Sequence, residues 1–98
     1  MTEAPMQQRE PNTVFIGKKP TMAYVLACLT VMQNGGAGVN IKARGKAISK
    51  AVDVAQIITK RFATDVSVKK IAINTEQVKS AETGAMNNVS SIEIHLEK

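Results

Sequence analysis

A length of 98 residues sets the expectation of one domain with a modest core, the size range in which a partner often adds burial. An apolar fraction of 44% excludes a disordered chain, and three aromatics in all leave the core to Val, Ile, Leu, Ala and Met. The net charge of +5 is unevenly placed: residues 18–50 hold Lys18, Lys19, Lys42, Arg44, Lys46 and Lys50 and no acid, whereas residues 51–98 hold six bases and six acids. That asymmetry is expected for an anionic partner, with a solvated basic face as the alternative reading.

Residues 1–11, "MTEAPMQQREP", are polar, with two prolines and no apolar run of the kind a signal peptide needs. They read as a flexible N-terminal tail, ahead of a single domain over 12–98. An intracellular soluble protein is expected, because no window has the length of a membrane span. "TVFIG", residues 13–17, is a short β-rich run and the first strand. Lys18 and Lys19 follow, and Pro20 suits the first turn of a helix. "TMAYVLACLTVMQ" is apolar on most sides and predicts a largely buried helix. Cys28 lies inside it and reads as a small buried hydrophobe; a reactive thiol would need an exposed, electropositive setting. "NGGAG", residues 34–38, stops the helix, with Asn or Gly able to take the left-handed cap.

"VNIKA" alternates: Val39, Ile41 and Ala43 face one way, and Asn40, Lys42 and Arg44 the other. Gly45 breaks the strand. A second helix is predicted from about Lys46 to Phe62, with Ile48, Ala51, Val52, Ala55, Ile58 and Phe62 on one face. "DVSVKKIAIN" is a strand whose apolar parity changes between Val68 and Ile71, which predicts a bulge near Lys69-Lys70. "VSSIEIHLE" places Ile92, Ile94 and Leu96 inward and Ser91, Glu93, His95 and Glu97 outward. The intervening "TEQVKSAETGAMNN" is polar, with a turn signal at Thr83-Gly84. The order β-α-β-α-β-β, with both helices on one face, gives a two-layer α/β sandwich that ends in an extended hairpin arm.

Signs of an enzyme are thin. His95 is the sole histidine and sits on a wet strand face. No His/Cys cluster has metal-ligand spacing, and no cofactor is implied. "IGKKPT" matches a phosphate loop only in part: Asn12 stands where the motif needs glycine and Lys19 where it needs Ser or Thr. The basic residues are more informative. Lys18-Lys19 end the first strand and Lys42 and Arg44 the second. Parallel neighbouring strands would bring these four cations to one sheet edge, beside two helix N-termini. Gly45 allows a close, sharp turn. Arg44 offers a planar fork and Lys a point charge, which suits backbone phosphates. The scarcity of aromatics argues against stacking on single-stranded bases.

The stretches "VFIGKKPTMAYVL", "IKARGKAISKAVDVAQI", "KRF" and "VSSIEIHLEK" resemble the Alba family, the small basic chromatin proteins of archaea. The resemblance covers residues 12–98. It implies the β-α-β-α-β-β sandwich, similar to the C-terminal domain of bacterial translation initiation factor three. It also implies a non-catalytic homodimer, or a heterodimer with a paralogue. This would coat and compact double-stranded DNA with little sequence preference, bind RNA as well, and lie at the nucleoid in the cytoplasm. An RNA-binding protein or ribonucleoprotein component is the alternative reading.

By the same resemblance, Lys18, Lys19, Lys42 and Arg44 contact the nucleic-acid backbone; Lys46, on the helix side of Gly45, is a weaker candidate from its charge and place in the sequence. Lys18 is the candidate acetylation position, which implies an acetyltransferase and a deacetylase as partners; acetylation would remove a charge. Phe62 is the candidate dimer–dimer contact, with plain core as the alternative. The chain departs from the family at the arm: "SAETGAMNN" has no base where members often carry arginine, which leaves Asn87, Asn88 and backbone groups to meet a groove. "RFATD" replaces the commoner "RFLPD".

Overall fold

The computed structural model describes residues 12–34 and 38–98; the predicted tail and the predicted glycine cap lie outside them. The elements are β1 (Thr13–Phe15), α1 (Thr21–Gln33), β2 (Gly38–Arg44), a 3-10 turn (Gly45–Ala47), α2 (Ile48–Ile57) continued by a π turn (Ile58–Phe62), β3 (Ser67–Lys79) and β4 (Met86–Glu97). This is the β-α-β-α-β-β order read from the sequence. Among these residues no helix is long and apolar enough to cross a membrane.

One sheet forms, in the order β1-β2-β4-β3. β1 runs parallel to β2, with Val14 opposite Ile41, and β4 is antiparallel to both β2 and β3. The last strand thus slots in beside β2 and leaves β3 at the edge. The alternation of β2 settles which face is covered: Val39, Ile41 and Ala43 are buried, as are Ile94 and Leu96 on the neighbouring strand. Tyr24, Val25 and Cys28 of α1 and Ala51, Val54 and Ala55 of α2 close over that face, with Ile58 of the π turn. Burying a side chain such as Ile41 or Leu96 contributes about 1.5–3 kcal/mol.

Gly38 matters to this packing, since a Cβ there would sit 2.5 Å from the carbonyl oxygen of Leu96. Cys28 is fully buried, and loss of hydration pushes its thiol up to about 12. It is the buried hydrophobe expected.

Two expectations, on α1 and on the second helix, need correction, and the expected Asn-or-Gly cap is narrowed. α1 is not largely buried: Met22 and Leu26 lie exposed on its outer side, because only one stripe of a helix can face a single sheet. Asn34 does not take a left-handed cap; its φ is −87° and its N–H bonds the Thr30 carbonyl as in a continuing helix. The buried face of the second helix is Ala51, Val54, Ala55 and Ile58, while Val52 and Phe62 point out. Past Ile57 the helix widens into the π turn, closed by Ala63 N–H to Ile58 O at 2.8 Å, and Phe62 ends it 53% exposed.

The bulge is where the parity change predicts it. Val68 pairs with Leu96 and Lys70 with His95, leaving Lys69 as the extra residue. Ile71 and Ile73 thereby return to the face of Ile94 and Ile92. The helices do not reach this edge strand, and Ile73 is left 80% exposed. The hairpin is the extended arm expected, and its pairing continues through the polar stretch to Lys79 opposite Met86. The turn is closed by Ser80 N–H to Ala85 O and Gly84 N–H to Ser80 O. The resulting arm gives the molecule a long axis of 46 Å against 25 and 21 Å.

Candidate nucleic-acid interface

Parallel pairing of β1 and β2 sends both strands out at the same edge. The chain leaves β1 through Gly17, Lys18 and Lys19 and leaves β2 at Arg44. Lys18, Lys19, Lys42 and Arg44 line one open depression of about 960 Å³, which Glu76 of β3 also borders. Four cations from distant sequence therefore share one surface. Lys42 Nζ lies 5.9 Å from the centre of the Phe15 ring. Arg44 Nη1 donates to Glu76 Oε1 at 3.0 Å, with both side chains about half exposed. Among the described residues no carboxylate pairs with Lys18 or Lys19.

Gly45 makes the exit from β2 possible. Its φ of +60° is left-handed, and a Cβ there would have room at 3.5 Å from Val89 Cγ1, so conformation rather than space requires glycine. Neither α1 nor α2 has a side-chain cap or an acid in its first turn. The positive end of each helix dipole is left without a counter-charge of its own.

The turn bearing Lys18 and Lys19 is held from below. Tyr24 Oη accepts from the N–H groups of Gly17 and Lys19, and Lys50 Nζ donates to the carbonyl oxygens of the same two residues. Lys50 is thus occupied within the fold.

The remaining candidates lie elsewhere. Lys46 is exposed on the 3-10 turn but does not line the depression. Asn87 and Asn88 are on the arm, opposite Val78 and Gln77. Phe62 is not core. His95 sits on the uncovered sheet face, its Nδ1 2.6 Å from Asn40 Oδ1 and its Nε2 3.0 Å from Glu97 Oε1. It borders a cleft of about 280 Å³ with Lys70 and Glu93. Among the described residues no group of three His, Cys, Asp or Glu side chains could hold a metal ion.

Sequence reasoning missed Tyr24, Lys50 and Glu76. Tyr24 carried a signal, since a polar tip in an apolar helix needs a partner. Glu76 carried none, because its approach to Arg44 depends on strand order.

Fold and surface together define a small basic two-layer α/β protein with a cationic sheet edge and a hairpin arm. The Alba family model matches residues 12–75. The chain is 59% identical over 87 residues to DNA/RNA-binding protein Alba 1 of Archaeoglobus fulgidus, covering 89% of this chain and 96% of that one. It is 52% identical over 89 residues to DNA/RNA-binding protein Alba of Methanocella arvoryzae, covering 91% and 92%. The solved structure of Alba from Thermoplasma volcanium superposes with a TM-score of 0.82 at 50% identity, covering 88% of this chain and 99% of that one. ALBA1 of Trypanosoma brucei does so at 0.71 and 26%, covering 92% and 71%. The chain belongs to the Alba family.

Proposed function

We propose that this chain binds double-stranded nucleic acid through backbone phosphates, as a non-catalytic protein that coats and compacts DNA. The observation that carries the reading is the convergence of Lys18, Lys19, Lys42 and Arg44 on one depression. A duplex presents phosphates in regular rows, and a cationic edge meets them without touching base edges. The names of the relatives point the same way, toward DNA and RNA, and the Alba family is one of nucleic-acid-binding proteins, not enzymes.

The reading includes self-association. Val68, Ile71 and Ile73 form an uncovered apolar strip along β3, where the core side of the sheet runs past the helices. A second copy, or a paralogue, would cover it. Phe62 then serves contact between dimers, Lys18 is the acetylation position, and the protein resides on the chromosome.

Titrating duplex binding against salt tests the central claim. A steep log–log slope is expected, and Arg44→Ala should flatten it by about 0.9 and weaken all sequences alike. Salt-independent affinity, or loss at one sequence alone, would contradict it. RNA is the second reading, favoured by the relatives' names. Competition between duplex DNA and folded RNA at fixed salt separates the two.

A further inference from the structure

The segment between Phe15 and Thr21 belongs to no helix or strand, yet the peptide groups of Gly17 and Lys19 are both hydrogen-bonded to side chains. Tyr24 Oη accepts hydrogen bonds from Gly17 N–H at 2.9 Å and Lys19 N–H at 3.0 Å. Lys50 Nζ donates to Gly17 O at 3.1 Å and to Lys19 O at 2.6 Å. The same ammonium lies 5.8 Å from the centre of the Tyr24 ring, within cation–π range. One side chain from each helix therefore grips the backbone on both sides of Lys18. Tyr24 is buried, and a Cβ at position 17 would come within 3.2 Å of its hydroxyl oxygen. Glycine there leaves the grip its room.

We propose that Tyr24 and Lys50 are positioning residues for phosphate binding: they fix the turn so that Lys18 and Lys19 point with Arg44 into one depression. This rests on the phosphate-binding reading above. Lysine is a compact charge on a flexible stem and supplies no geometry of its own. A loose turn would hold its lysines as diffuse counter-charges and would be ordered only on binding. A gripped turn meets two neighbouring phosphates in a set arrangement, with the ordering done at folding. Lys50, counted with the basic third of the sequence, acts on carbonyl oxygens rather than on the ligand.

Tyr24→Phe isolates the effect, because it removes the hydroxyl and changes no charge. Binding of a short mixed-sequence DNA duplex is measured across a salt series for the wild type, Tyr24→Phe, Lys18→Ala/Lys19→Ala, and all three substitutions together. Circular dichroism and melting temperature confirm folding. Tyr24→Phe is expected to weaken binding by about tenfold and to flatten the log–log salt slope by about 1 to 2, as one or two phosphate contacts are lost. In the background without Lys18 and Lys19 it should change the slope no further. An unchanged slope in the single variant, or an equal change in the lysine-free background, overturns the proposal.

If Tyr24→Phe does not fold, Lys50→Met carries the same comparison. A slope change that vanishes in the lysine-free background supports positioning; one of about 0.9 that persists there marks a direct phosphate contact and overturns it. Arg44→Ala separates this proposal from its foundation. If Arg44→Ala and Lys18→Ala/Lys19→Ala both leave the slope intact, the phosphate-binding reading itself fails. If they flatten it and Tyr24→Phe does not, only the positioning role fails.

Discussion

Arg44 meets its first anion inside the protein. Glu76 holds its guanidinium at 3.0 Å across β4, on the rim of the depression that the lysines share. An exposed pair of this kind is worth about 0.2–1 kcal/mol, less than a charge-assisted contact to phosphate, so a ligand can displace it. Glu76→Gln should therefore tighten duplex binding by about two- to fivefold while changing stability by less than about 1 kcal/mol. Weaker binding in a titration of that variant would mean that Glu76 orients Arg44 for its ligand. Cys28 makes a second prediction at this scale. Its thiol titrates near 12 when folded, against 9.0 when exposed. Its contribution to stability is fully present below pH 9 and is lost as pH rises toward 12, because only the unfolded chain releases the proton in that window. Urea unfolding at pH 8 and pH 10.5 should show the wild type losing about 2 kcal/mol more than Cys28→Ala over the same interval. Equal losses would refute the assignment. The residues Lys18, Lys19, Lys42 and Arg44 were legible as candidates because charge is visible in sequence. Their partners were not: the Tyr24 hydroxyl and Glu76 act across 5 to 32 positions.

The arm is the element in which chain order and charge disagree with a simple phosphate clamp. Its paired strands extend well past the helices, yet the stretch 74–91 holds one lysine against two glutamates. Its turn satisfies itself, with Ser80 Oγ accepting from Glu82 N–H and Thr83 N–H. On the proposed phosphate-binding reading, electrostatic anchoring therefore falls to the body of the protein. Placing a cation at the tip should add to it: Glu82→Arg is expected to steepen the salt slope by about 0.9 if the arm lies along the duplex. An unchanged slope would show that the tip stays clear of phosphate. The bulge at Lys69 was legible from parity alone, since a strand cannot change its buried face without an extra residue. An extended arm was legible, but how far its strand pairing runs, to Lys79 opposite Met86, was not. Ladder hydrogen bonds between backbones tolerate polar side chains, so a polar sequence hid a regular strand.

For the molecule as a whole, the strip along β3 is apolar surface that the single chain leaves unburied. Val68, Ile71 and Ile73 share the face of the core and are left open at the edge of the sheet. An uncovered apolar edge strand invites pairing or docking. If the proposed self-association uses this strip, Ile73→Glu should convert a dimer to a monomer in sedimentation, weakening association by at least about thirtyfold, the scale of an interface hot spot. The core should survive, because this side chain contributes little to it in the single chain. A dimer that persists would place the interface elsewhere, with Met22, Leu26, Val52, Phe62 and Met86 as the other exposed large apolar side chains among the described residues.

Local patterns in the sequence were enough for the β-α-β-α-β-β order, the alternation of β2, the bulge and the concentration of charge in residues 18–50. Each depends on neighbours a few positions apart, where periodicity and composition carry the physics. The tertiary structure alone decided that β4 lies between β2 and β3, and hence that Arg44 faces Glu76. It also decided that Lys50 serves the Lys18-Lys19 turn and that Ile71 and Ile73 stay uncovered. Those outcomes depend on which strands pair and how far two helices reach across a four-stranded sheet, and no short-range pattern encodes either.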